Sequence, residues 1–294
     1  MILIAESGAT KTDWCAVSPG MSPVFVKTGG INLASMPGEV VNEVVREALE
    51  VFRKEGIGGT VEEIHFYAAG LIAYGEERVP TQATELDRIF HYHFPEASVE
   101  YASDLVAAAR SVCGHEPGVA AILGTGSNSC FFDGKNVVRN VRSGGFILGD
   151  EGGAARLGKI FMSDFLKGLV PEPVASEFAR DFEVDYMTVV QNVYKGGVPA
   201  RYLGSFAPWI VSRYNSSEYV RELVESNFRD FCRRVLLQYD TATCPVGVVG
   251  GFGYAYRNIL KKVAEPFGIK FSRFIQSPVE GLVDYHLVSN CHGQ

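Results

Sequence analysis

Two loops made of small and hydroxyl-bearing residues lie far apart in the chain. The first is Glu6-Ser7-Gly8-Ala9-Thr10-Lys11-Thr12, and the second is Gly124-Thr125-Gly126-Ser127-Asn128-Ser129. Small residues let a backbone come close to a ligand, and successive exposed N–H groups form a concave anion site. Thr10, Lys11 and Thr12 add hydroxyls and a cation beside an acid, Glu6. Such a set can hold phosphate oxygens, with Glu6 orienting a hydrated Mg²⁺. The same residues also suit a tight hairpin tip with no ligand, and their spacing alone leaves both readings open.

Other residues offer acid–base or recognition chemistry. Asp104 follows the strand-like run Ser98 to Tyr101 and opens a helical segment. It suits a helix N-cap, and equally a general base that accepts a proton from an attacking hydroxyl. Gly149-Asp150-Glu151-Gly152-Gly153 places two carboxylates in a glycine-rich turn before a helix. They can stabilise the helix start or accept hydrogen bonds from sugar hydroxyls. Asn32, in Gly29-Gly30-Ile31-Asn32, is a turn residue or an amide that reads a polar substrate. Val246 to Gly253 has a strand followed by Gly250-Gly251, but position 256, where a dinucleotide loop needs a third small residue, is Tyr256. The six histidines, at 65, 91, 93, 115, 286 and 292, show no metal-ligand spacing and are read as structural or surface residues.

The elements that must carry these residues follow from apolar periodicity. Strand-like runs occur at 2–5, 14–17 and about 24–27, and a helix is expected at about 38–54, where Val40, Val41, Val44, Val45, Leu49 and Phe52 recur at helical spacing. Further expectations are a strand at 63–68, helix at 80–93, strand at 98–101 and helix at 105–113. After Gly114 the opening repeats: strand at 119–123, loop, strand at 129–132, an Asp133-Gly134 turn and strand Val137-Val138. Helices dominate from 154 to about 240, followed by a βα unit at 245–265, a strand at 269–275 and a helix at about 279–289. Because each small-residue loop runs on into a strand, both are hairpin tips. That excludes the P-loop and the dinucleotide fingerprint, which need a helix straight after the loop. The implied class is α/β, with a duplicated architecture and ligands in a cleft between the halves.

Bulk properties narrow the function. The chain has 294 residues, 47% hydrophobic and 21% charged, with a net charge of −7. That size suits two domains, and the acidic balance argues against a nucleic-acid surface. No apolar stretch reaches the roughly 18 residues of a membrane span. The chain opens directly on a strand-like run, so no signal peptide is expected. Six scattered cysteines form no C-x-x-C pair, which points to reduced thiols in a cytoplasm.

The ordered set Glu6-x-Gly8-x-Thr10-Lys11-Thr12, Leu123-Gly124-Thr125-Gly126-Ser127, Gly149-Asp150-Glu151-Gly152 and Val249-Gly250-Gly251 resembles the superfamily of actin, heat-shock ATPases and sugar kinases. Within it, the chain resembles the BadF/BadG-type ATPase and N-acetylglucosamine kinase branch, from Met1 to about Leu287. The resemblance implies two RNase H-like (actin-like ATPase) domains, 1–114 and 115–278, with the C-terminal helix (about 279–294) joining the first. It implies Mg-ATP and an amino sugar as ligands, and often a homodimer. Glu6 lies near the metal, through water; Gly8, Thr10, Lys11 and Thr12 meet the phosphates from one side and Gly124, Thr125, Gly126 and Ser127 from the other. Gly250 and Gly251 border the adenosine. Asp104 matches the catalytic base; Asn32, Asp150 and Glu151 match sugar contacts, with Gly144 and Gly145 on the wall of the sugar site. The chain departs from the pattern at Ser7 and Ala9, where glycines are common, and at Phe146, where related amino-sugar kinases carry Trp.

The expected reaction is transfer of the ATP γ-phosphoryl group to an amino sugar, above all the 6-hydroxyl of N-acetylglucosamine. The alternatives are an N-acetylmuramic acid or glucosamine kinase, an ATPase activator of a dehydratase or reductase, and a non-catalytic sugar or nucleotide sensor. The activator reading needs an iron–sulfur cluster held between subunits by cysteines, which draws attention to Cys130 just past the second loop.

Overall fold

The computed structural model describes residues 1–8, 11–18, 20–31, 33, 36–57, 60–71 and 79–291, with side chains described as far as Leu287. The chain divides into two compact units. Unit 1 comprises Met1–Glu116, Gly134–Val137 and Ser277–Gln294; unit 2 comprises Pro117–Asp133 and Val138–Gln276.

Unit 1 is built on strands β1 (Ile2–Ser7), β2 (Lys11–Val17), β3 (Val24–Gly29), β4 (Glu63–Ala68) and β5 (Ser98–Ser103), in the sheet order β3-β2-β1-β4-β5. β1 and β2 form an antiparallel hairpin, whereas β1, β4 and β5 run parallel. Side chains alternate between the two faces of each strand. Leu3, Ala5, Trp14 and Ala16 share one core with Val41, Val45 and Phe52 of the helix Gly38–Lys54 and Leu86 and Phe90 of the helix Thr84–His93. Ile2, Ile4, Cys15, Val17 and Tyr67 take the other face. They pack against Ala107 of the helix Asp104–Cys113 and Val279, Leu282 and Val283 of the helix Pro278–Cys291. These two helices approach closely at Gly281, where a Cβ would stand 2.3 Å from the Ser111 carbonyl oxygen.

Unit 2 repeats the arrangement with β6 (Pro117–Leu123), β7 (Ser127–Asp133), β8 (Val137–Asn140), β9 (Val246–Val249) and β10 (Phe271–Ile275), in the order β10-β9-β6-β7-β8. β6 and β7 are antiparallel, and β6, β9 and β10 are parallel. Strand for strand this is the order of unit 1, so the fold is a duplicated α/β architecture. Leu157 and Phe161 of the helix Ala154–Leu166, Phe178, and Phe228 and Phe231 of the helix Glu218–Arg234 fill the core. Gly134 has φ +98° in the expected hairpin turn.

Both small-residue loops are hairpin tips. The strands reach further into them than the apolar runs suggested: β2 starts at Lys11 rather than Trp14, and β7 at Ser127 rather than Ser129. Backbone pairing continues to the tip whatever the polarity of the side chains, with Ser7 opposite Thr12 and Leu123 opposite Ser127.

Candidate active site

In unit 1 the sheet register gathers carboxylates at one end of the sheet. Glu6 pairs with Asp13 across β1–β2 and with Tyr67 across β1–β4. Alternation puts Lys11 and Asp13 on the face that carries Ile2, Ile4 and Cys15, beneath the Asp104–Cys113 and Pro278–Cys291 helices. Asp13 is only 2% exposed. Its Oδ2 accepts from Lys11 Nζ at 2.6 Å and from Ser277 Oγ at 2.9 Å. Its Oδ1 has no hydrogen-bond partner among the described residues, and Lys27 Nζ stands 3.9 Å away. Burial, then the Asp13 charge, push the Glu6 carboxyl up to about 7; Asp104 adds to the effect and Lys11 opposes it.

Asp104 is the first residue of its helix, and it is not the cap. Ser103 holds that position, its Oγ accepting the Val106 N–H at 3.3 Å. Asp104 therefore stays free of any side-chain partner among the described residues. Burial raises its pKa above the ordinary carboxylate value, with backbone hydrogen bonds from Leu105 and its own N–H opposing. A half-buried carboxylate of raised basicity at a strand end is suited to taking a proton.

The first hairpin tip closes through Gly8 N–H donating to Lys11 O at 2.9 Å. Thr12 is fully buried on the opposite sheet face from Lys11. Its hydroxyl donates to Gly29 O at 3.0 Å and lies 2.8 Å from Ser7 Oγ, so it braces β1, β2 and β3.

In unit 2 the second tip is shaped by the helix behind it. Ala154 N–H donates to Gly124 O at 3.0 Å and Ala155 N–H to Thr125 O at 2.9 Å. Each peptide is planar and trans, so its N–H points opposite to its C=O. With both carbonyls turned to the helix, the N–H groups of Thr125 and Gly126 face away from it, and Thr125 is exposed. Adjacent outward N–H groups are an anion nest. Close approach behind the loop depends on glycine: a Cβ on Gly153 would stand 2.9 Å from Thr125 O, and one on Gly250 2.5 Å from Leu123 O. Gly250, with φ +120°, also donates its N–H to Ile275 O at 3.0 Å before the helix Gly251–Ala255 begins.

The acidic turn braces the same loop. Asp150 has φ +56°, and its Oδ1 accepts the Ser127 N–H at 3.3 Å. Burial raises the Asp150 pKa, the Ser127 hydrogen bond opposes, and the neighbouring Glu151 charge adds to the rise. Glu151 is 6% exposed and is engaged by Arg156 at 2.8 Å. Gly144 and Gly145 both adopt positive φ, +73° and +67°, at the start of the short helix Gly145–Leu148.

Comparison with solved structures decides the family. The chain is 34% identical to a protein from Porphyromonas gingivalis, over 99% of this chain and 100% of that one, with a TM-score of 0.87. That protein and a second from Chromobacterium violaceum are described as putative N-acetylglucosamine kinases. The second is 18% identical over 97% of this chain and 98% of its own, with a TM-score of 0.73. The chain belongs to the actin-like superfamily of ATP-dependent sugar kinases. The fold of this kinase is also shared by the ROK hexokinase of Thermus thermophilus, 18% identical over 98% of this chain and 97% of that one, with a TM-score of 0.51. No protein-family model and no curated protein matches the sequence.

Of the residues singled out in the kinase sequence, Glu6 and Asp104 are electrostatically coupled in unit 1, with Lys11 beside them. Gly124 to Ser127, Asp150, Gly250 and the Ala154 helix start are joined in unit 2. Thr10 and Asn32 lie outside the described residues. Cys130, which an activator would need at a surface, is fully buried in β7. Asp13 is a further member of this group that the apolar run from Trp14 does not include; the alternation Lys11, Asp13, Cys15, Val17 is its signal in the sequence. No helix among the described residues is long and apolar enough to cross a membrane.

Proposed function

We propose that this kinase transfers the γ-phosphoryl group of ATP to a hydroxyl of an amino sugar, with the 6-hydroxyl of N-acetylglucosamine as acceptor. The 34% identical relative supports the sugar class. The observation that carries the chemistry is Asp104: Ser103 takes over the capping role and leaves a carboxylate of raised pKa at the end of β5. In this reading Asp104 accepts the proton of the attacking hydroxyl. Lys11 and the outward amides of Thr125 and Gly126 bind phosphate oxygens, with Gly8, Thr10, Thr12, Gly124 and Ser127 shaping the two tips. Gly250 and Gly251 border the nucleoside. Asn32, Gly144, Gly145, Asp150 and Glu151 define the sugar side, Asp150 through its link to the loop.

The residues fit a divalent cation. Glu6, Asp13 and Asp104 are hard oxygen donors whose charges oppose one another, and Mg²⁺ takes such ligands through water. When bound, Mg²⁺ neutralises phosphate charge. Glu6 would hold it, while this chain's own residues orient the phosphates and move the proton. Free thiols at Cys15, Cys232 and Cys244 suit a reducing cytoplasm.

The test is sugar-dependent ADP release with Mg-ATP across N-acetylglucosamine, glucosamine, N-acetylmannosamine, N-acetylmuramic acid and glucose. N-acetylglucosamine should give the strongest response. Asp104→Asn should lower turnover about 10²–10⁴-fold while sugar binding is retained. Flat release across the panel, or full turnover in Asp104→Asn, contradicts the assignment.

A further inference from the structure

Asp104 stands at the corner where β5 ends at Ser103 and the helix Asp104–Cys113 begins. Many of the helix's buried residues are small, Ala107, Ala108 and Ala109 among them, all 0–1% exposed, and their apolar contacts are non-directional. A directional contact ties the two arms of this corner together. Arg110, six residues after Asp104 and so about 9 Å along the axis, forks onto Glu100 of β5. Its Nη2 lies 2.7 Å from Oε1 and its Nη1 3.0 Å from Oε2. Nη1 also donates to the Tyr67 hydroxyl at 2.7 Å. The Tyr67 hydroxyl is also hydrogen-bonded to His286 Nε2, 2.8 Å away. Tyr67 is the cross-strand neighbour of Glu6. The Arg110 side chain is 13% exposed and stacks over Tyr285 at 5.0 Å.

His65, Glu100 and His286 place ligand-capable atoms within 4.8 Å of one another. They do not form a metal centre: Arg110 occupies both Glu100 oxygens, and the two imidazoles stack at 3.7 Å with planes 23° apart, so their lone pairs do not converge. A partly buried ion pair of this kind adds little net stability over an apolar replacement. What a bidentate fork adds is geometry.

We propose that Arg110, gripped by Glu100 and Tyr67, is a positioning residue that fixes the angle between β5 and the Asp104 helix and so aims the Asp104 carboxylate, at their junction, at the substrate hydroxyl. This rests on Asp104 being the base. Misplacing a reacting group by about 1 Å can cost roughly 100-fold in rate.

The test is a double-mutant cycle on the full-length kinase, reading kcat and KM for ATP and for N-acetylglucosamine. Arg110→Met should lower kcat about 10- to 100-fold, with both KM values within about 3-fold. In the Asp104→Asn background the same change should cost less than about 2-fold, because there is no base left to aim. Tyr67→Phe removes one hydroxyl without changing packing, and it repeats the cycle with a smaller, several-fold loss should Arg110→Met fail to fold. An equal loss in both backgrounds, or an unchanged kcat with Asp104 intact, overturns the positioning role alone. Full turnover in Asp104→Asn by itself removes the base assignment, and this proposal with it.

Discussion

Glu6 concentrates the electrostatics of unit 1 in one side chain. Its ordinary pKa of 4.5 rises to about 7, first through burial and then through Asp13. Between those values the folded chain holds a proton that the unfolded chain releases, so this group's contribution to stability falls as pH rises from about 4.5 to 7. Glu6→Gln should therefore stabilise the protein more at pH 7.5 than at pH 5, as read by urea denaturation at the two pH values. A cation must displace the same proton, so Mn²⁺ binding measured by calorimetry without nucleotide should weaken as pH drops below about 7 and lose that dependence in Glu6→Gln. Glu6 was legible from its place before a glycine- and threonine-rich loop. Asp13 was not, because a charged residue next to Trp14 reads as the edge of a strand until the β1–β2 register shows it opposite Glu6. The Arg110–Glu100–Tyr67–His286 network was hidden more deeply. Its members come from β4, β5 and two helices, and only the sheet order brings them together.

At the scale of elements, the hairpins were the most legible part of the chain. Two apolar runs flanking a short loop of small residues admit little besides an antiparallel turn, and both turns formed. What periodicity did not reveal is how the second loop is held. The Ala154–Leu166 helix turns two loop carbonyls inward, and glycines at 153 and 250 let backbones meet behind it. Gly250→Ala should cost about 1–3 kcal/mol in backbone strain, with a further penalty for a Cβ 2.5 Å from Leu123 O. Guanidinium unfolding should show a lower midpoint, and ATP binding should weaken in parallel because the nest amides lose their backing. The Arg156 partner of Glu151 was likewise not legible, because it lies one turn into the following helix.

For the whole molecule, the repeated strand order explains why one chain presents two similar tips. The duplication could be suspected from the recurrence of strand, small-residue loop and strand after Gly114. The return of the last helix to unit 1 could not be read from periodicity, because a helix at the end of a chain carries no mark of the sheet it will cover. Its packing is nonetheless essential: Leu282 is fully buried against Ile4 and Val17. Leu282→Ala should cost about 2–5 kcal/mol, measured by urea denaturation, as a large-to-small change in a closed core.

The same helix bears on how the protein is made. Unit 1 is assembled from segments at both ends of the chain, with most of unit 2 between them. A ribosome adding roughly 5–20 residues per second needs about 8 to 30 seconds to pass from Glu116 to Ser277. Throughout that interval the nascent first sheet carries Ile2, Ile4, Cys15 and Val17 without their covering helix. Unit 2 is complete before unit 1 can close, so the earlier-made sheet is the later to mature, its apolar face waiting for the helix Pro278–Cys291.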